Sequence, residues 1–105
     1  MKLYYSPGAC SLAPHIVACE AGLAVEAIVA STKTHQLADG TDFYSINPLG
    51  YVPFLVLDDG QTLREGPVIS QYLADQAPDK GLIGPVGSIQ RYRALEWLTF
   101  IGTEL

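Results

Sequence analysis

The sequence predicts an α/β fold: helices cover a small mixed sheet, and one further helix stands beyond it. Three observations lead there. Short β-prone runs and stretches of helical spacing succeed one another as strand, helix, strand, irregular helix, strand, strand, helix. A Leu57-Asp58-Asp59-Gly60 turn folds the chain back on an apolar run. After a stretch rich in Gly and Pro, a final helix carries apolar residues most of the way round.

Lys2 to Tyr5 reads as a strand, with Tyr4 and Tyr5 on opposite faces. It stops at Pro7-Gly8 and delivers Cys10 to the start of a helix running from Ser11 to about Ala21, which Gly22 ends. Leu12, Ile16 and Val17 fall at helical spacing there, Pro14 is tolerated in the first turn, and Cys19 is expected to be packed and inert. His15 is expected on a solvated helix face. A helix start biases a thiol towards thiolate, so Cys10 is either a reactive sulfur or a small residue at a helix end. Val25 to Val29 supplies the second strand, completing a right-handed βαβ unit. The polar stretch from Ser31 to Ile46 predicts a loop with a short irregular helix.

In Ile46-Asn47-Pro48-Leu49-Gly50-Tyr51-Val52-Pro53, two prolines and a glycine lead into the strand Phe54 to Leu57, and Val52-Pro53 is a candidate cis bond. Past the hairpin turn, Gln61 to Leu63 forms an antiparallel edge strand. A helix then begins at Glu65-Gly66-Pro67, with Gly66 at its cap and an apolar stripe of Val68, Ile69, Tyr72 and Leu73; Ala77-Pro78 ends it. Glu65 before this helix end is either a carboxylate favoured by the dipole or an acceptor for a ligand's ammonium group. Ser88 caps the last helix, whose Ile89, Tyr92, Leu95, Trp97, Leu98, Phe100 and Ile101 want burial on several sides. The pattern therefore divides the chain into a domain at 1–77, a linker at 78–87 and, at 88–105, the first helix of a mostly helical domain of a longer protein.

Composition narrows the function. With 49% hydrophobic residues in 105, the chain can bury a core. A net charge of −5 without a basic cluster argues against nucleic acid and anionic membranes as partners. No apolar run reaches the roughly 18 to 20 residues that span a bilayer, and the first residues lack a secretory signal's apolar core, so a cytoplasmic protein is expected. On one helix, Cys10 and Cys19 would lie roughly 13 Å apart along the axis, beyond disulfide reach, which fits a reducing compartment. His15 and Cys19 lack a third ligand, and Gly81, Gly84 and Gly87 lack the lysine of a phosphate loop, so neither a metal nor a cofactor is expected.

Tyr5-Ser6-Pro7-Gly8-Ala9-Cys10-Ser11-Leu12, Ile46 to Pro53, Leu57 to Gly60, Glu65-Gly66-Pro67, Gln71-Tyr72-Leu73-Ala74-Asp75 and, in the last helix, Arg91-Tyr92 with Glu96-Trp97-Leu98 together resemble beta-class bacterial glutathione S-transferases. The resemblance covers the whole chain. It implies a thioredoxin-like βαβαββα domain that binds glutathione, followed by the first helix of an all-helical C-terminal domain. It implies an enzyme using glutathione as co-substrate, with a small electrophile or disulfide as second substrate. By the same resemblance, Cys10 contacts the glutathione sulfur and forms a mixed disulfide with it, with Tyr5 and Ser11 lining the thiol. Val52, before the cis proline Pro53, pairs with the cysteinyl part, while Glu65 and Gly66 hold the γ-glutamyl end. His35 stands where lysine often meets the glycyl carboxylate, and Thr99 where asparagine is usual. Thr103, Glu104 and Leu105 lead into a segment whose next residue in the family is a histidine near the cysteine. A homodimer is implied, with Tyr51 and Phe54 as apolar surface near the loop. A non-catalytic glutathione-binding or regulatory protein of the same fold is the alternative.

Overall fold

The computed structural model describes residues 1–7 and 11–104, with Glu104 described by its backbone alone. The elements are β1 (Lys2–Tyr5), α1 (Leu12–Glu20), β2 (Glu26–Val29), a 3-10 turn (Phe43–Ser45), β3 (Phe54–Val56), β4 (Thr62–Arg64), α2 (Gly66–Asp75), a second 3-10 turn (Pro78–Lys80) and α3 (Ile89–Glu104). The four strands form one sheet in the order β2-β1-β3-β4. β2 lies parallel to β1, and the other pairs are antiparallel. This is the thioredoxin-like arrangement that the sequence predicts, followed by one further helix, α3.

Strand alternation builds the core. Leu3 and Leu55 point to one face and pack with Ala18 of α1 and with Ile69 and Leu73 of α2. Their neighbours Tyr4 and Phe54 point to the other, where they meet Ala30, Phe43 and Val52. Helices thus cover one face only. The second face is closed by the 31–53 segment, in which the predicted irregular helix is a 3-10 turn nailed down by the fully buried Phe43.

α1 departs from the expected stripe. Its buried line is Ser11, Pro14, Ala18 and Ala21, small residues that let α1 lie close to the sheet and α2. Cys19 falls one residue past that line and is exposed, correcting the expectation of a packed thiol. Leu12 and Ile16 stay more than half exposed. His15 is half-buried rather than solvated, its ring 4.7 Å from that of Tyr5. In α2, Ile69 and Leu73 are buried while Val68 is exposed, and the cap residue is Glu65 rather than Gly66.

Ser88 does cap α3, its hydroxyl accepting from the Arg91 backbone N–H at 3.2 Å. Arg91 fixes α3 to the rest. Its guanidinium forks onto Asp75 at 2.5 and 3.3 Å, and its Nε donates to the Gly84 carbonyl at 2.9 Å. The hydrogen bonds that Arg91 donates to Asp75 raise its pKa above the ordinary value. Trp97, Phe100 and Ile101 of α3 are exposed. Among the described residues no helix is long and apolar enough to cross a membrane.

Candidate glutathione site

Register brings the candidate residues to one end of the sheet. Tyr4, Phe54 and Arg64 lie side by side across β1, β3 and β4, and Tyr5 pairs with Val29. The chain therefore leaves β1, β2 and β4, and enters β3, at the same edge. Cys10 follows β1, His35 follows β2, Val52-Pro53 precedes β3 and Glu65-Gly66 follows β4. Among the described candidates, His35 and Glu65-Gly66, some 30 positions apart in sequence, come to one edge through strand order and register.

A cleft of about 1250 Å³ opens at this edge. One wall carries Thr32, His35 and the 47–53 turn, another Arg64, Glu65, Gly66, Pro67 and Ser70, and the floor Leu12, Ala13 and Ile16 of α1. Leu98, Ile101 and Gly102 of α3 close the far side. Gly102 lies close to α2, for a Cβ there would sit 3.5 Å from the Pro67 ring.

Local chemistry shapes each wall. The Val52-Pro53 bond is cis. Before it, the buried Asn47 organises the turn: its Nδ2 donates to the Tyr51 carbonyl at 2.9 Å and its Oδ1 accepts from the Leu49 N–H at 3.3 Å. Glu65 holds an unusual backbone, φ +73° and ψ 124°, and its carboxylate makes no cap bond to α2. That leaves it at the cleft wall beside a helix start, where backbone N–H groups lack intrahelical partners. Ser70 is a buried residue of the cleft wall, and its hydroxyl makes no hydrogen bond with a described residue.

His35, Val52, Pro53, Glu65 and Gly66 therefore share one cavity. Cys10 and Leu105 lie outside the described residues, as does the Glu104 side chain. Ser11 and Tyr5 do not line the cleft. The fully buried Ser11 hydroxyl accepts from the Ser6 N–H at 3.0 Å and donates to the Ser6 carbonyl at 3.1 Å, tying together the residues that flank 7–10. Ser11→Ala is expected to destabilise the fold by about 1–2 kcal/mol in urea unfolding, since Ser6 loses both partners; a change within error would overturn this anchoring. Thr99 and Thr103 are separate from the cleft too, on another face of α3 with Tyr92 and Phe100. Helical spacing explains it: Leu98, Ile101 and Gly102 take the inward positions. Phe54 is buried against Tyr4 and Phe43 and offers no apolar surface, whereas Tyr51 is 71% exposed.

The lining residues that sequence reasoning missed had weak signals. Leu12 and Ile16 are the large apolar residues set off from a line of small ones in α1, a pattern that marks a helix presenting its bulk away from its neighbour. Asn47 before a proline was a turn signal whose partner no spacing rule names. Ser70, inside an apolar helix, gave no signal of its own.

The family model described as glutathione S-transferase, N-terminal domain, matches residues 8–76. Glutathione S-transferase GstA of Escherichia coli O157:H7 is 50% identical over 105 residues, all of this chain and 52% of the relative. A solved beta-class glutathione S-transferase of Sphingomonas chungbukensis superposes with a TM-score of 0.94 at 49% identity, over 99% of this chain and 52% of that one. A sphingomonad glutathione S-transferase solved in complex with glutathione gives a TM-score of 0.94 at 50% identity, over 99% and 52% of the two chains. The chain spans about half the length of the curated relatives it matches. The matched residues carry α1, α2 and three of the four strands, with most of the cleft, and the chain belongs to the glutathione S-transferase family through its N-terminal domain.

Proposed function

We propose that this chain supplies the glutathione-binding part of a glutathione transferase. The observation that carries the reading is the single cleft lined by His35, Val52, Pro53, Glu65 and Gly66, in a chain similar to a transferase solved with glutathione bound. Glu65 accepts from the γ-glutamyl ammonium, and the start of α2 at Gly66 receives the γ-glutamyl carboxylate. The Val52 backbone pairs with the cysteinyl unit, and His35 donates to the glycyl carboxylate. The second substrate lies over the apolar floor of Leu12 and Ile16, facing Leu98 and Ile101.

A free cysteine-type thiol has a reference pKa of about 8.5, so little thiolate exists at neutral pH without help. The start of α1, where Cys10 falls in sequence, favours the thiolate. In conjugation the glutathione thiolate bonds to an electrophilic carbon, the leaving group departs with the bonding pair, and the thiol proton passes to water. In thiol exchange the Cys10 thiolate attacks one sulfur of a glutathione disulfide, forms a mixed disulfide and expels the other half as thiolate. The working protein is a cytoplasmic homodimer in this reading.

Incubating the full chain with oxidised glutathione and digesting it for mass spectrometry tests the role of Cys10. A 1:1 adduct on Cys10 is expected, although Cys19 is exposed. An adduct on Cys19 with Cys10 unmodified would remove Cys10 from the mechanism, and conjugation of a chloronitrobenzene with glutathione at the background rate would refute the transferase reading.

A further inference from the structure

His35 is held in a way its sequence position does not explain. It is a non-glycine residue with φ +56°, in the left-handed region. Two backbone bonds fix it there: its N–H donates to the Ser31 carbonyl at 2.9 Å, and its carbonyl accepts from the Phe43 N–H at 2.8 Å. Its imidazole lies nearly flat on the Tyr44 ring, with centroids 4.7 Å apart and planes 26° apart. Tyr44 is itself fixed, because Phe43 beside it is buried in the core and the Asp42 carboxylate accepts from the Tyr44 N–H at 3.1 Å. Both rings back onto Gly50, where a Cβ would sit 2.6 Å from Tyr44 Cε1 and 3.0 Å from His35 Cδ2. Gly50, at φ +71°, is buried and lines the cleft with His35.

We propose that Tyr44 and Gly50 are positioning residues that hold the His35 imidazole against the cleft wall, ready to donate to the carboxylate of the ligand. The inference rests on the glutathione reading above. A histidine is too short to search for a distant carboxylate as a lysine does, so its contact depends on where the ring is set. The stack sets it without a hydrogen bond, leaving both ring nitrogens uncommitted among the described residues. Tyr44 is 45% exposed, far more than its contribution to the core requires. Gly50 is demanded by the two rings: a side chain there displaces one of them.

The test compares two probes by titration calorimetry on the full chain: glutathione, and glutathione ethyl ester, whose glycyl carboxylate is masked. The unmodified protein should prefer glutathione. His35→Ala should abolish the preference, Tyr44→Phe should keep it, and Tyr44→Ala and Gly50→Ala should each weaken glutathione binding about three- to tenfold while leaving the ester nearly unchanged. In the His35→Ala background, Tyr44→Ala should add nothing, which a merely structural role would not produce. Full preference in Tyr44→Ala, or additive losses in the double variant, overturns the proposal. Equal binding of both probes by the unmodified protein overturns it while the glutathione reading stands. Binding of neither overturns both.

Discussion

Phe43→Ala is expected to destabilise the domain by about 3–5 kcal/mol, the usual loss when a buried aromatic ring is truncated. Phe43 is fully buried, its ring 5.5 Å from Tyr4 and 6.4 Å from Phe54. Among the described residues of the 31–53 segment no other side chain of comparable size is buried against this sheet face; the smaller Val52 is buried there, and Leu37 and Ile46 pack only partly buried. Its backbone also links the wall of the cleft, since Phe43 N–H donates to the His35 carbonyl and the Phe43 carbonyl accepts from Ile46 and Asn47. Chemical unfolding of the variant should show the loss, and glutathione affinity should fall with it. A cost below about 1 kcal/mol would mean that the segment is held elsewhere. Tyr44→Ala, one residue along and half exposed, should leave the unfolding midpoint nearly unchanged.

Glu65→Gly should separate binding from stability. At φ +73° and ψ 124° a side chain is strained, at a cost of order 1–3 kcal/mol, which glycine relieves. Glycine adds about 0.5–1 kcal/mol of unfolded-state freedom against this, so a net gain of about 0.5–2 kcal/mol in stability is expected. Glutathione affinity should fall by about 10- to 100-fold, because a hydrogen bond to a charged group is worth about 1.5–3 kcal/mol. Glu65→Gln should lose a similar share of affinity without the gain in stability. Unchanged affinity in both variants would remove Glu65 from the site. The strain is a reason to look for function here: the fold tolerates a poor conformation where a carboxylate is delivered to the cleft.

Much of the architecture was legible because short-range rules govern it. Alternation in Leu3-Tyr4 and Phe54-Leu55 assigns each residue to a sheet face, and the Asp58-Asp59-Gly60 turn forces β3 and β4 antiparallel. Ser88 and Pro67 mark helix starts to within a residue. The misplacements arose where packing against a neighbour decides. Cys19 is apolar enough for a core, but α1 turns its small residues inward because α2 lies close. Thr99 and Thr103 share a helix with Leu98 and Ile101 yet face elsewhere, and only the rotation of α3 about its axis settles which group meets the cleft.

By itself the sequence determined the order of elements, the turn chemistry and the family to which those motifs belong, since each depends on residues close together in the chain. The expectation that Cys10 stands at the start of α1 falls outside the described residues. Tertiary structure alone decided that Leu12, Ile16 and Ser70 line the same cavity as His35, Val52 and Glu65, that the Ser11 hydroxyl bonds both backbone groups of Ser6, and that the His35 ring stacks on Tyr44 against Gly50. Those relations join residues brought together by strand register and helix rotation, and no spacing along a chain encodes either.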